Sequence, residues 1–109
     1  MQTRPKSPGL SRLGLTANGQ PVERIVLADD RLAVSVLTFG AALQGLWLDA
    51  VPHSLTLGSD RLADYEAASS YFGALVGPVA NRIAGANATI VGRPCRFDAN
   101  EGANTLHSG

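Results

Sequence analysis

The sequence predicts a mostly β fold, classed as all-β, from three observations. Glycines and turn pairs recur about every ten residues, the segments between them are short and rich in Val, Ile, Leu and Thr, and helical spacing occurs in one short stretch only. Met1 to Gly9 holds Arg4, Pro5, Lys6 and Pro8 and leads into no apolar run of signal-peptide or membrane-helix length. Residues 1–12 are expected to form a flexible tail, and residues 13–109 to belong to one domain.

The first paired strands are expected on either side of Asn18-Gly19, over Leu13 to Thr16 and Val22 to Leu27. Asn-Gly is a strong hairpin signal because both residues tolerate positive φ. Asp29-Asp30 then introduces Leu32 to Thr38, where Leu32, Val34, Val36 and Thr38 alternate with Ala33, Ser35, Leu37 and Phe39. Apolar residues at both phases of a period of two predict a strand covered on both faces. Gly40 marks a bend or bulge. Beyond it Leu43 to Leu48 reads as an internal strand, with Leu43, Gly45 and Trp47 on one face and Gln44, Leu46 and Leu48 on the other.

Leu62, Tyr65 and Ala68 lie at helical spacing in the Ala-rich stretch from Asp60 to Tyr71, which predicts a short helix. A final hairpin is expected around Val91-Gly92-Arg93, flanked by Ala88 to Val91 and Pro94 to Phe97. No internal repeat or low-complexity segment interrupts this order.

Composition narrows the function. With 109 residues and 45% hydrophobic content, the chain has the means to build a small core. Nine basic and nine acidic residues are spread evenly, so no basic patch points to nucleic acid or to a membrane surface. Cys95 is the one cysteine and has no Cys or His at metal-ligand spacing, which fits a reducing, cytoplasmic setting and no metal site.

Two segments carry polar chemistry. Phe72 to Ala84 reads FGALVGPVANRIA, an apolar stretch with a single charge, Arg82. Such an arginine either keeps its head in water at a strand end or forks its five donors onto the oxygens of a polar ligand. Asp98 to Gly109 reads DANEGANTLHSG. Within it His107 is either a structurally bonded loop residue or a donor and acceptor near neutral pH. Asn100 and Asn104 read as turn residues that bond their own backbone.

These segments resemble the galactose mutarotase (aldose 1-epimerase) family. The family carries G-P/R-x-A-N/G-R-I and, after a hairpin, N-x-G-x-x-x-L-H-G-G. Gly77-Pro78-Val79-Ala80-Asn81-Arg82-Ile83 and Asn100-Glu101-Gly102-Ala103-Asn104-Thr105-Leu106-His107-Ser108-Gly109 match in order and separation. Upstream, Phe39-Gly40-Ala41 is similar to the family's N-Y-G-A strand break, and Leu57-Gly58-Ser59 with Asp64-Tyr65 to its L-G-F-x-x-x-x-x-Y stretch. Ser108 and Ala103 stand where Gly and Pro are usual, departures that bear on loop rigidity.

The resemblance implies the N-terminal part of a β-sandwich enzyme that opens and recloses an aldohexose ring without a cofactor. A base takes the anomeric proton and an acid protonates the ring oxygen. By the same resemblance these are a glutamate and a second histidine from beyond Gly109. Arg82, His107 and Asn81 are then the substrate-binding residues, and His107 also has a catalytic role in stabilising charge as the ring opens. Taken by themselves, these 109 residues are expected to expose strand edges and to be inactive. The alternatives are a non-catalytic carbohydrate-binding β-sandwich and an epimerase-like protein for phosphorylated hexose. The latter calls for an arginine cluster beside Arg82 that this sequence lacks.

Other polar residues read as structural. His53 lies in a turn, Asp60, Asp64 and Glu66 as solvated helix-start residues rather than a glycosidase pair, and Cys95 as a buried packing residue. Trp47 and Phe72 offer ring faces to a sugar, though a strand tryptophan is first a core residue.

Overall fold

A computed structural model describes residues 2–67 and 71–109. The chain divides into two units, Met1–Leu75 and Val76–Gly109.

The first unit is an antiparallel sheet of β1 (Gly9–Leu15), β2 (Pro21–Ala28), β3 (Leu32–Leu37) and β4 (Leu43–Leu48), in that spatial order. β1 starts at Gly9 rather than Leu13, so Gly9 to Arg12 pair with β2 instead of extending a tail. The Asn18-Gly19 hairpin forms as expected, with a five-residue loop over 16–20. Gly19 alone takes a positive φ of 84°, and Thr16 bonds the backbone of Gln20 from both its amide and its hydroxyl.

Hydrophobic alternation sets the inner face of this sheet. Val22 and Val26 on β2 and Ala33, Ser35 and Leu37 on β3 are buried. The opposite phase is not: Leu32 is exposed, and Val34 and Val36 are only half-buried. β3 is therefore more deeply covered on one face than on the other, and Ile25, Leu27 and Leu32 on the second face are exposed.

Gly40, with φ 61°, and Ala41, with φ 53°, make the turn of a β3–β4 hairpin rather than a bend within one strand. β4 is the edge of the sheet, not an internal strand. Its outer side is met by loops: Leu43 N–H donates to Gly73 O at 2.8 Å, Leu55 N–H donates to Leu46 O at 2.6 Å, and Leu46 N–H donates to Ser54 Oγ. Covering an edge in this way removes unpaired groups that invite association. Gly73 sits so close that a Cβ would lie 2.0 Å from Leu43 O, so only glycine fits.

Two bulges tune the inner face. One on β1 sets Leu13 between Arg12 and Gly14, where it packs on the core. The other, on β4, brings Gln44 inward instead of leaving it with Leu46 and Leu48. Its Oε1 accepts from Ser35 Oγ at 2.7 Å, and its Nε2 donates to Ser59 O. A buried amide satisfied at both ends costs little.

The helix is shorter than expected. α1 spans Leu62–Glu66, and Ala68 lies outside the described residues. Leu62 and Tyr65 join Val22, Leu37 and Ala42 in one cluster, with Leu13 and Phe39 against it. The Tyr65 hydroxyl accepts from Ser59 N–H and donates to Ser59 O, and burial pushes its pKa up.

The second unit is built from short pieces. β5 (Arg82–Ile83) pairs antiparallel with β8 (Thr105–Leu106), and β6 (Asn87–Ile90) with β7 (Arg93–Arg96). A 3-10 turn over Ala84–Ala86 joins β5 to β6. The β6–β7 hairpin turns on two residues, Val91 and Gly92, at φ 49° and 74°. Cys95 on β7 is half-buried rather than fully buried.

Candidate functional site

Two-residue strands have little stability of their own, so the placement of Arg82 and His107 depends on what braces them. Pairing of Arg82 with Leu106 sets Asn81 beside His107. His107 N–H donates to Asn81 O, and Asn81 N–H donates to His107 Nδ1, both at 3.0 Å. A ring that accepts at Nδ1 carries its hydrogen on Nε2, so a ligand met by that edge meets a donor. Asn81 and His107 both hold positive φ, at 67° and 55°, which the reciprocal bonds maintain.

Asparagines brace the strand before His107. Asn100 Nδ2 donates to Leu106 O at 2.9 Å, and Leu106 N–H donates to Asn100 Oδ1 at 2.7 Å. Asn104 Oδ1 accepts from Gly85 N–H. Both side chains thus bond distant backbone rather than closing their own turns. Ser108 Oγ accepts from Val79 N–H and donates to Val79 O, each at 2.9 Å. That hydroxyl ties the loop after His107 to the loop before Asn81, a bond the usual glycine cannot make.

Arg82 meets a carboxylate that stands at an unspecified position of the second motif, Glu101. Its Nε donates to Glu101 Oε2 at 2.5 Å and its Nη2 to Glu101 Oε1 at 2.6 Å, a fork-to-fork pair. Nη1 lies 3.5 Å from Asn81 Oδ1. The Arg82 hydrogen bonds hold the Glu101 carboxyl below its usual range, and the charge of Arg82 acts in the same direction. Arg82 therefore does not simply extend into water. The one available sequence signal was the position of Glu101 inside the second motif; the 19-residue separation concealed its partner.

The structure thus brings Asn81, Arg82 and His107 together. Two concavities are lined by other residues: one of about 490 Å³ by residues that include Thr16, Phe39 and Glu66, and one of about 510 Å³ by residues that include Asn87, Pro94 and Arg96. The remaining candidates separate. His53 is exposed, and Trp47 is 3% exposed, in the core and closed to a sugar, whereas Phe72 is exposed. Asp60 faces Arg24 at 3.8 Å, Asp64 accepts from Ser59 Oγ, and Glu66 accepts from Ala17 N–H. Those three carboxylates anchor different loops and form no pair. Among the described residues, no group of three or more His, Cys, Asp or Glu is placed to hold a metal ion, and no helix is long and apolar enough to cross a membrane.

Comparison with known proteins gives consistent matches. The aldose 1-epimerase family model matches residues 23–109. Galactose mutarotase of Bos taurus is 36% identical over 91 residues, which cover 81% of this chain and 27% of that protein. Maltose epimerase of Levilactobacillus brevis is 38% identical over 97 residues, 86% of this chain and 28% of that protein. The crystal structure of galactose 1-epimerase from Lactobacillus acidophilus superposes with a TM-score of 0.72 at 24% identity, covering 93% of this chain and 30% of that one. The likeness to that structure establishes the mainly β fold. The chain spans less than a third of the length of these relatives.

Proposed function

Because the chain belongs to the aldose 1-epimerase family, we propose that it supplies the sugar-positioning half of an enzyme that interconverts the α and β anomers of aldohexoses. The observation that carries the reading is the pair of reciprocal bonds between Asn81 and His107, which fix the imidazole against the residue that precedes Arg82. Two fixed donors of different geometry suit a ligand that is a ring of oxygens.

In this reading His107 Nε2–H points to the ring oxygen. That oxygen gains charge as the bond to the anomeric carbon breaks, so a donor already in place stabilises the transition state more than the ground state. Arg82 and Asn81 hold hydroxyls away from the reacting carbon. Proton removal from the anomeric hydroxyl and protonation of the ring oxygen fall to other groups, since the three site residues act only by hydrogen bonding. The names of the relatives make galactose and maltose the first sugars to test, with glucose as the simplest unit of maltose. The single half-buried Cys95 suits a cytoplasmic protein.

Polarimetry of freshly dissolved α-D-galactose, α-D-glucose and maltose, with the gene product that carries these residues, tests the reading. Relaxation faster than buffer is expected, and a rate equal to buffer removes the enzyme and leaves a sugar-binding module. His107→Asn is expected to lower turnover by roughly 10²-fold, the loss typical of one transition-state hydrogen bond. Arg82→Ala is expected to weaken sugar binding with the fold intact.

A further inference from the structure

We infer that Glu101 is a positioning residue for sugar binding: it clamps the Arg82 guanidinium in the orientation in which Arg82 meets the substrate. The inference rests on the sugar-binding reading of Arg82.

The geometry is that of a bracket rather than a chance surface contact. Both carboxylate oxygens are engaged, on Nε and on Nη2, so rotation of the guanidinium plane is blocked as well as translation. The Glu101 end is itself fixed. Glu101 N–H donates to Asn104 O at 3.1 Å, and Asn104 N–H donates to Glu101 O at 3.0 Å, closing a tight bridge around Gly102 and Ala103. Asn104 then reaches Gly85 N–H through its side chain, and the next residues, Thr105 and Leu106, pair with Ile83 and Arg82. Glu101 is thus joined through its own loop to the strand that carries Arg82, and the two side chains meet from backbones already held together.

Stability does not account for the pair. The side chains are 56% and 38% exposed, and exposed ion pairs contribute little to folding because water competes and two long side chains must be ordered. Their ordering has another use. A long arginine that must be immobilised when ligand binds weakens that binding, whereas one already held does not. Because Glu101 engages the Nε and Nη2 edge, it also decides which edge of the guanidinium faces it and which is turned toward the Asn81 amide.

The test is a double-mutant cycle on mutarotation in the full gene product, with Glu101→Gln, Glu101→Asp, Arg82→Ala and the Arg82→Ala/Glu101→Gln double variant. Glu101→Gln is expected to raise KM roughly 2- to 10-fold, the penalty of immobilising one rotamer-rich side chain, with kcat and Tm unchanged. Glu101→Asp is expected to fall between wild type and Glu101→Gln, since its shorter stem allows one bond of the two. The double variant is expected to have the KM of Arg82→Ala alone, because Glu101 acts through Arg82. An unchanged KM in Glu101→Gln, or a fall in Tm without a change in KM, overturns the inference. So do effects that multiply in the double variant, which place Glu101 on the sugar itself. Wild-type protein that fails to accelerate mutarotation sinks the functional reading instead, a result visible before any variant is made.

Discussion

The two units of this chain are held together by different forces. In Met1–Leu75, Val22, Leu37, Ala42, Leu62 and Tyr65 form a cluster removed from water between the sheet and α1. In Val76–Gly109 the buried residues are Ala86 and Thr105 alone, and order comes from hydrogen bonds of Asn100, Asn104, Ser108 and Arg82. Apolar burial is non-directional and proportional to area, whereas hydrogen bonds fix angles. The unit built on directional bonds is the one that carries the proposed site, where orientation of a donor matters more than bulk stability.

The largest effect is expected where apolar burial is concentrated. Leu37 is 0% exposed, so Leu37→Ala leaves a cavity as well as losing burial, and should cost about 2–5 kcal/mol. Urea denaturation of the gene product reads that loss. Hydrogen exchange is expected to show it in the amides of β2, β3 and β4, which share that sheet. A cost below about 1 kcal/mol would mean that the cluster around Leu37 is not the source of order in this unit.

The contrast also explains what the sequence made legible. Strand order through β1, β2 and β3 follows from turn pairs and alternation, both local signals, and the same holds for the β6–β7 hairpin. Periodicity, however, could not tell that Leu37 is buried while Val34 is only half-buried, since the two are equally apolar. Nor could it place the bulges at Leu13 and Gln44, which depend on the register of the neighbouring strand. β5 and β8 have two residues each, too few for any period, so Arg82 and His107 came together in the sequence only through the family motifs. The Arg82–Glu101 pair was illegible for the same reason: it exists only once β5 and β8 are paired.

A middle-sized effect tests the hydrogen-bonded unit. Asn100→Ala removes both bonds to the Leu106 backbone in an exposed loop, where water replaces much of what is lost. A stability cost of about 1 kcal/mol is expected, smaller than for Leu37→Ala. Its effect on sugar chemistry should be larger than that figure suggests, because Leu106 precedes His107 and sets where the imidazole sits. Measurement of turnover beside Tm checks the comparison. Equal and small losses in both would mean that the amide braces nothing the site uses.

The smallest effect has the opposite sign. Val91 lies at φ 49° at the tip of the β6–β7 hairpin, 96% exposed, and Gly92 follows at φ 74°. Two consecutive positive φ values make this the kind of two-residue turn that favours Asn-Gly. A β-branched residue there is strained, and its exposed side chain returns no burial in compensation. Val91→Asn is therefore expected to stabilise the protein by roughly 0.5–1 kcal/mol, part of the cost of a left-handed conformation for an ordinary residue. A higher Tm with unchanged mutarotation would show strain relieved at a position the site does not use. An unchanged or lower Tm would mean that the Val91 side chain contributes something its exposure conceals. The experiment would then move the boundary drawn between the two units, by placing an apolar contribution in the one ordered by hydrogen bonds.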